Sequence, residues 1–389
     1  MDDYGYNFMN DTKCGYNDSL NQLYVLECKQ FLLDEIDYSD MPYVGELKVV
    51  PTWEIIIKII LFIVIILFSV LGNILIIIVV IKNHTMWTTT NYYLVNLAVA
   101  DLMVTISCTW VTLVDDVTEG WVLGKFFCKI NTFTQILSLV ASVLSLTLIA
   151  YDRFFGIVFA LRAHMTTRRA KTSLIFIWIC SAGIASPTLI TRQLKVRVWS
   201  NHTEQWCDDV WPTMTENIGN MTMSSMPSRT AYYVSVSVIL YFFPMLIMTL
   251  AYSIIIIKLW SSTIPGEKVD RRMEAQSRTR KKVIVMLVAI LIVFVVCWLP
   301  YQVILLYSEL RPNRLKLGDW YYGLNFAACC MSYSNSALNP LIYTGFNENF
   351  KKGITNVLRP LHCKRKKWID CHGTSEYGTS RTVVVLNQF

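Results

Sequence analysis

Seven long, mostly apolar runs dominate the chain: Ile55 to Ile81, Tyr92 to Val114, Ile130 to Ala150, Ser173 to Ile190, Ala231 to Ile257, Val283 to Tyr307 and Trp320 to Tyr343. Each approaches or exceeds the ~20 residues that cross a bilayer as a helix. Lipid offers no partner to an open backbone, so each run is expected to be helical. Most carry a few polar residues that need neighbours, which predicts a bundle of about seven helices rather than separate anchors. The fold class expected is therefore all-α: a seven-transmembrane helix bundle with one short amphipathic helix after the last span. The third run, with its flanks, reads CKINTFTQILSLVASVLSLTLIAYDR from Cys128 to Arg153. At ~1.5 Å per residue it would reach roughly 37 Å, a little beyond the ~30 Å hydrocarbon core. One end then meets an oxidising space and the other the cytoplasm.

The stretches between the runs set the remaining boundaries. Residues 1–50 read as a polar, acidic, Tyr-rich outer tail, 51–345 as the bundle, 346–358 as a membrane-surface helix and 359–389 as a cytoplasmic tail. Phe346, Phe350 and Ile354 recur every four residues beside Lys351 and Lys352, the pattern of a helix lying on the inner leaflet. Pro187, Pro244, Pro300 and Pro340 interrupt four spans and can kink them.

Composition confirms the membrane class and charge orients it. The chain is 54% hydrophobic with mean hydropathy +0.41. Its formal charge of +7 is concentrated in alternate loops. These hold Lys82; Arg162, Arg168, Arg169 and Lys171; Lys268 through Lys282; and Lys351, Lys352 and Lys364 to Lys367. Positive loops face inward, so the N-terminus is expected outside and the chain in the plasma membrane as a multi-pass protein. The basic residues flank apolar spans and do not suggest nucleic-acid binding. Met1-Asp2-Asp3 is acidic and no apolar segment follows directly, so the first span is expected to act as the targeting signal. On this topology Cys14, Cys28, Cys128 and Cys207 lie outside, where disulfides persist. Cys14 and Cys28 either bridge each other or remain two thiols in the tail. Sequons at Asn10, Asn17, Asn201 and Asn220 also fall outside and are candidate glycosylation sites. Cys363, beside Lys364 to Lys367, is either palmitoylated or unmodified.

Candidate chemistry begins with polar groups in costly places. Asp101 sits mid-span, with Asn73, Ser142, Asn335, Ser336 and Asn339 on other spans. An ionisable group there is a functional candidate by default. These are oxygen ligands that suit a hard cation; the alternative is a buried hydrogen-bond network around a protonated Asp101. No metal triad, nucleophile elbow or phosphate loop appears, so no enzyme is expected. No internal repeat of the transporter kind is visible.

Taken together, Gly72-Asn73, Leu97-Ala-x-Ala-Asp101, Trp121 to Gly124, Cys128, Asp152-Arg153, Trp178, Pro187, Pro244 with Tyr252, Cys297-Trp-Leu-Pro300 and Asn339-Pro-x-x-Tyr343 resemble the rhodopsin-like G-protein-coupled receptors. The resemblance covers Pro51 to Lys352. It implies a Cys128–Cys207 disulfide and a sodium pocket of Asp101, Ser142, Asn335, Ser336 and Asn339, with sodium an allosteric ligand rather than a required cofactor. It implies that Trp298 is a switch beside Phe294 and Pro244. Asp152, Arg153, Tyr252, Asn339, Pro340 and Tyr343 would rearrange as a heterotrimeric G protein enters, and Leu161 would insert into it. Phe154 stands where the family usually has Tyr. Arg280 stands where many relatives have an acid that pairs with Arg153, which implies raised basal activity. A receptor kinase and arrestin are implied partners of the tail hydroxyls, Thr374 to Thr382.

Gln135 and Thr112 resemble a pair in the neuropeptide Y, neuropeptide FF and orexin receptor branch, and Glu309 matches an acid used there. The implied ligand is a C-terminally amidated peptide whose amide meets Gln135 and Thr112. A nearby ligand arginine would pair with Glu309, Asp208 or Asp209, above a floor of Trp298, Tyr301 and Gln302. The plainer alternative makes Thr112–Gln135 a helix contact and Glu309 a rim charge. The alternative functions are a scavenging or orphan peptide receptor without G-protein signalling, and a receptor for a non-amidated peptide.

Overall fold

The computed structural model describes residues 37–43, 50–159, 166–218, 221–261, 271–311 and 319–357. The candidate positions Asn10, Cys14, Asn17, Cys28, Leu161, Asn220, Cys363 and the tail hydroxyls lie outside the described residues.

The apolar runs form seven long helices in chain order. They are α1 Thr52–Lys82, α2 Thr89–Val117, α3 Gly124–Val158, α4 Thr167–Thr191, α5 Pro227–Trp260, α6 Arg271–Leu310 and α7 Asp319–Phe346. A short α8 spans 348–357, within the stretch expected to lie on the membrane. Six helices are long and apolar enough to cross a membrane by length and composition alone. α7 is long enough, but its Ser-Asn-Ser-Ala-Leu-Asn-Pro stretch makes it more polar. That polarity is functional ground, as the Asp101 contacts show below.

Local signals explain where the helices begin. Thr88 caps α2 by accepting from Asn91 N at 3.3 Å, and Thr166 caps α4 by accepting from Arg169 N at 3.4 Å. Proline precedes α1 as Pro51 and opens α5 as Pro227, where a missing N–H costs nothing. Two helices contain a π-turn: Thr105–Thr109 in α2 and Val238–Phe242 in α5. The second lies immediately before Phe243-Pro244 and absorbs the bond that Pro244 cannot donate.

Helix α3 is the axis of the bundle. In its most apolar stretch 78% of residues are buried, against 28% in α4. The outer helices leave large apolar residues exposed instead, among them Ile57, Leu67 and Leu71 on α1 and Phe176 and Ile179 on α4. An apolar surface of this kind suits lipid. The main core joins Leu97, Leu146, Ile149, Tyr252, Ile290 and Phe294 from four helices, α2, α3, α5 and α6. Gly72 lets α1 meet the kinked α7: a Cβ there would lie 2.7 Å from Pro340 Cβ. Gly353 does the same for α8 on α1, with Val79 Cγ1 at 2.4 Å from an added Cβ.

The long segment between α4 and α5 contains two antiparallel hairpins. β1 Arg192–Val198 pairs with β2 Thr203–Asp209, and β3 Met214–Ile218 with β4 Met221–Ser225. The Cys128–Cys207 disulfide fixes β2 to the first turns of α3. Trp121 N donates to Gln205 O at 2.7 Å, tying the α2–α3 connection to the same hairpin. Asn201 lies exposed at the hairpin tip, where its Oδ1 accepts from Tyr43 N at 2.7 Å.

The glycine contacts predict a graded result. Gly72→Ala and Gly353→Ala should each lower the melting temperature of the detergent-solubilised protein, at a cost of ~1–3 kcal/mol from overpacking. Gly183→Ala, in α4 with open space around it, should be neutral. Equal melting of all three variants would refute the close-packing account.

Candidate functional site

Helices α3, α5, α6 and α7 and strand β1 enclose a cavity of about 210 Å³ at the disulfide end of the bundle. Helical period places its wall. Thr132, Gln135, Ile136 and Leu139 line it from one face of α3. Trp298, Tyr301, Gln302, Leu305 and Glu309 line it from one face of α6. Trp298 is buried and continues into Phe294 at 6.1 Å between ring centroids, and Phe294 into Tyr241 at 6.2 Å. An aromatic column therefore runs from the cavity into the core. Gln302 is fully buried and its Oε1 accepts from Ser237 Oγ at 2.7 Å. The Gln135 side chain has no hydrogen bond to another described residue.

The upper wall is ionic. Asp209 is buried, accepting from Trp211 Nε1 and from Tyr233 Oη, both at 2.8 Å. Arg192 Nε lies 4.0 Å from its Oδ1 and Arg229 Nε 3.5 Å from its Oδ2. Arg229 also reaches Glu309 Oε1, at 3.3 Å through Nη2. Arg229 on α5 thus bridges the hairpin and α6. The chain's own guanidinium occupies the place that the sequence reading gave to a ligand arginine.

The sequence-predicted ligand residues divide accordingly. Gln135, Trp298, Tyr301, Gln302 and Glu309 line one cavity. Asp208 and Asp209 stand behind its wall, where the Asp208 carboxylate accepts from Asp209 N at 2.8 Å. Thr112 is engaged elsewhere: its hydroxyl bonds the Tyr333 hydroxyl at 2.8 Å, joining α2 to α7. Arg192, Arg229 and Tyr233 were not singled out by sequence. The outer loops mix acids and bases, so neither the two cations nor Tyr233 stood out.

Below the cavity lies the polar network. Asp101 Oδ1 accepts from Ser336 Oγ at 2.9 Å and Oδ2 from Asn339 Nδ2 at 2.8 Å. Asn73 Nδ2 donates to Ser336 O and Ser69 O, each at 2.9 Å, bringing in α1. The amide oxygens of Asn73, Asn335 and Asn339 are buried without a donor among the described residues. Spare oxygens beside a carboxylate met only by neutral donors fit a hard cation. Ser142 is buried on α3, but no contact joins it to Asp101 among the described residues.

At the far end of α3, Arg153 bonds Thr90 Oγ1 on α2 and lies 3.4 Å from Asp152. The side chain of Arg280 lies outside what the structure describes. Tyr252 and Tyr343 are buried nearby in the same core, and Tyr343 packs on Phe350 of α8 at 5.9 Å. The Tyr343 hydroxyl has no partner among the described residues. Pro340, three residues earlier, is the α7 residue against Gly72.

Residues 72–343 match the family described as 7 transmembrane receptor (rhodopsin family). The chain belongs to this family. Among its relatives is the substance-P receptor of Rattus norvegicus, 32% identical over 315 residues, covering 79% of this chain and 72% of that one. The QRFP-like peptide receptor of Branchiostoma floridae is 31% identical over 307 residues, 78% of this chain and 77% of the relative. The tachykinin-like peptides receptor 99D of Drosophila melanogaster is 32% identical over 344 residues, 82% and 64% respectively. As a rhodopsin-family protein the chain is a multi-pass membrane receptor and not an enzyme.

In this receptor the Thr112–Tyr333 bond should be a working contact between α2 and α7. Thr112→Val and Tyr333→Phe, singly and together, should show a stability coupling of about 0.6 kcal/mol in thermal melts, the average for hydrogen bonds in membrane bundles. Additive effects would mean that the two hydroxyls do not share a bond.

Proposed function

We propose that this chain is a cell-surface receptor, with its N-terminus outside, that binds an extracellular peptide in the cavity above Trp298 and activates a heterotrimeric G protein at the Arg153 end. The observation that carries this is continuity along α3. The helix bears the hairpin's disulfide at Cys128, a free amide at Gln135 on the cavity wall, and Arg153 at the opposite end. The disulfide favours an oxidising exterior for the cavity end, and the basic loops favour cytoplasm for the other. Relatives that bear the names of peptide receptors support a peptide as the ligand class.

The finer reading is a C-terminal carboxamide held by Gln135. An amide offers both a donor and an acceptor, and so does Gln135, so the two can pair reciprocally. Sodium at Asp101, with Asn335 and Asn339 as further oxygen donors, is the allosteric ligand; when bound it supplies the positive charge that an ionised Asp101 lacks. Arrestin and a receptor kinase acting on the tail complete the partners.

The test is a calcium and cAMP readout in cells displaying the full chain, challenged with matched amidated and free-acid neuropeptides. Amidated peptides should signal, and Gln135→Ala should reduce their potency about tenfold, as expected for one hydrogen bond of ~1–1.5 kcal/mol. Equal potency of free-acid peptides, with no effect of Gln135→Ala, would remove the carboxamide reading. Binding without any G-protein response would remove the signalling reading.

A further inference from the structure

The charge that faces the cavity differs in sign from the charge of the acids near it. Asp209 is not part of the wall, and Trp211 and Tyr233 donate to its oxygens. What lines the cavity is Arg192, Arg229 and Glu309, two guanidinium groups against one carboxylate. Unmet hydrogen bonding points the same way. Four buried side-chain atoms on cavity-lining residues have no hydrogen-bond partner among the described residues: Gln302 Nε2 and Trp298 Nε1, and Arg192 Nε and Arg229 Nε, which stand only at ion-pair distance from Asp209, 4.0 and 3.5 Å. All four are N–H donors. A buried donor left unmade is costly, so a ligand group that enters here should bring acceptors.

From these two observations we propose that the cavity takes a ligand carboxylate, received by Arg192 and Arg229 on β1 and α5. The inference rests on the peptide-receptor reading and deepens it. A guanidinium carries five donors in a planar fork, and a carboxylate can meet two of them at once. Arg192 has spare capacity, since its Nε stands 4.0 Å from Asp209 without a hydrogen bond. A ligand guanidinium would meet two like charges and would have to displace Arg229 from both Asp209 and Glu309. The carboxylate comes either from an Asp or Glu side chain of an amidated peptide or from a free C-terminus.

The experiment applies positional-scanning mixtures of synthetic hexapeptides to cells displaying the full chain, amidated in one set and free-acid in the other. Each mixture fixes one position as Asp, Asn, Arg or norleucine. Asp-fixed amidated mixtures should be active if the side chain supplies the group, and free-acid mixtures if the terminus does. With the best peptide, Arg192→Gln or Arg229→Gln should lower potency about thirtyfold or more, the scale for a truncated partner of a buried charge pair. Arg229→Lys should recover part of that loss. A merely structural Arg229 would weaken the Asp peptide and its Asn analogue alike; a carboxylate partner makes the Asn analogue insensitive to Arg229→Gln. Activity that follows Arg-fixed mixtures and is abolished by Glu309→Gln overturns the inference while leaving the peptide receptor intact. No active mixture, with surface display confirmed, overturns the peptide-receptor reading itself.

Discussion

Helix α3 is enclosed on most sides, and a helix in that position finds partners for its polar groups on its neighbours rather than in lipid. The Cys128–Cys207 bond fixes one end of it to the β1–β2 hairpin. Ser145 then accepts from Asn96, whose Oδ1 in turn accepts from Trp178, so three helices share one junction. Arg153 at the other end reaches Thr90 on α2. The remaining helices are arranged around this fixed axis. Helix α6 carries Trp298 and Glu309 of the cavity wall and an internal proline, Pro300, on one helix.

Polar groups in the membrane-spanning region fall into two kinds. Some are fully satisfied by neighbours, as with Thr112 and Tyr333, and these act as glue between helices. Others are left with open valence at places that line a cavity or surround Asp101. In a low-dielectric interior such groups cost free energy unless something else meets them. Seven such atoms fall at these two sites, on Arg192, Arg229, Trp298 and Gln302 and on Asn73, Asn335 and Asn339, while others, such as Ser138 Oγ and Ser181 Oγ, lie elsewhere in the bundle.

Most of the bundle was legible because its signals are local. Seven apolar runs, Thr caps, and prolines at Pro51 and Pro227 fix element type and approximate ends without knowledge of the partner. Trp298 and Gln135 were legible through motif and helical period. What escaped was non-local or two-dimensional. The Thr112–Tyr333 bond joins residues 221 positions apart, and nothing in either stretch names the other. Arg192 to Val198 alternates side chains across a strand, but its mixed polarity gives no clear buried face until Cys207 is fixed. The π-turn at Thr105–Thr109 has no proline to announce it.

The upper wall shows what residue type alone leaves out. Glu309 and Asp209 read as acids awaiting a cation, since a lone acid above a cavity is an obvious seat for one. The fold supplies two cations of its own. Arg229 meets Asp209 at 3.5 Å and Glu309 at 3.3 Å, while Arg192 stands by Asp209 at 4.0 Å. Two charges on each side leave the cluster neutral as a whole, yet not neutral toward the cavity, because Asp209 does not line it while Arg192, Arg229 and Glu309 do. Buried pairs of this kind contribute little net stability, but removing one partner costs ~3–5 kcal/mol. Arg229 therefore holds the hairpin, α5 and α6 in one arrangement for as long as its carboxylates are not offered a better cation or its donors a better anion. The four unmet N–H groups decide which of those exchanges the cavity favours, and they favour the anion.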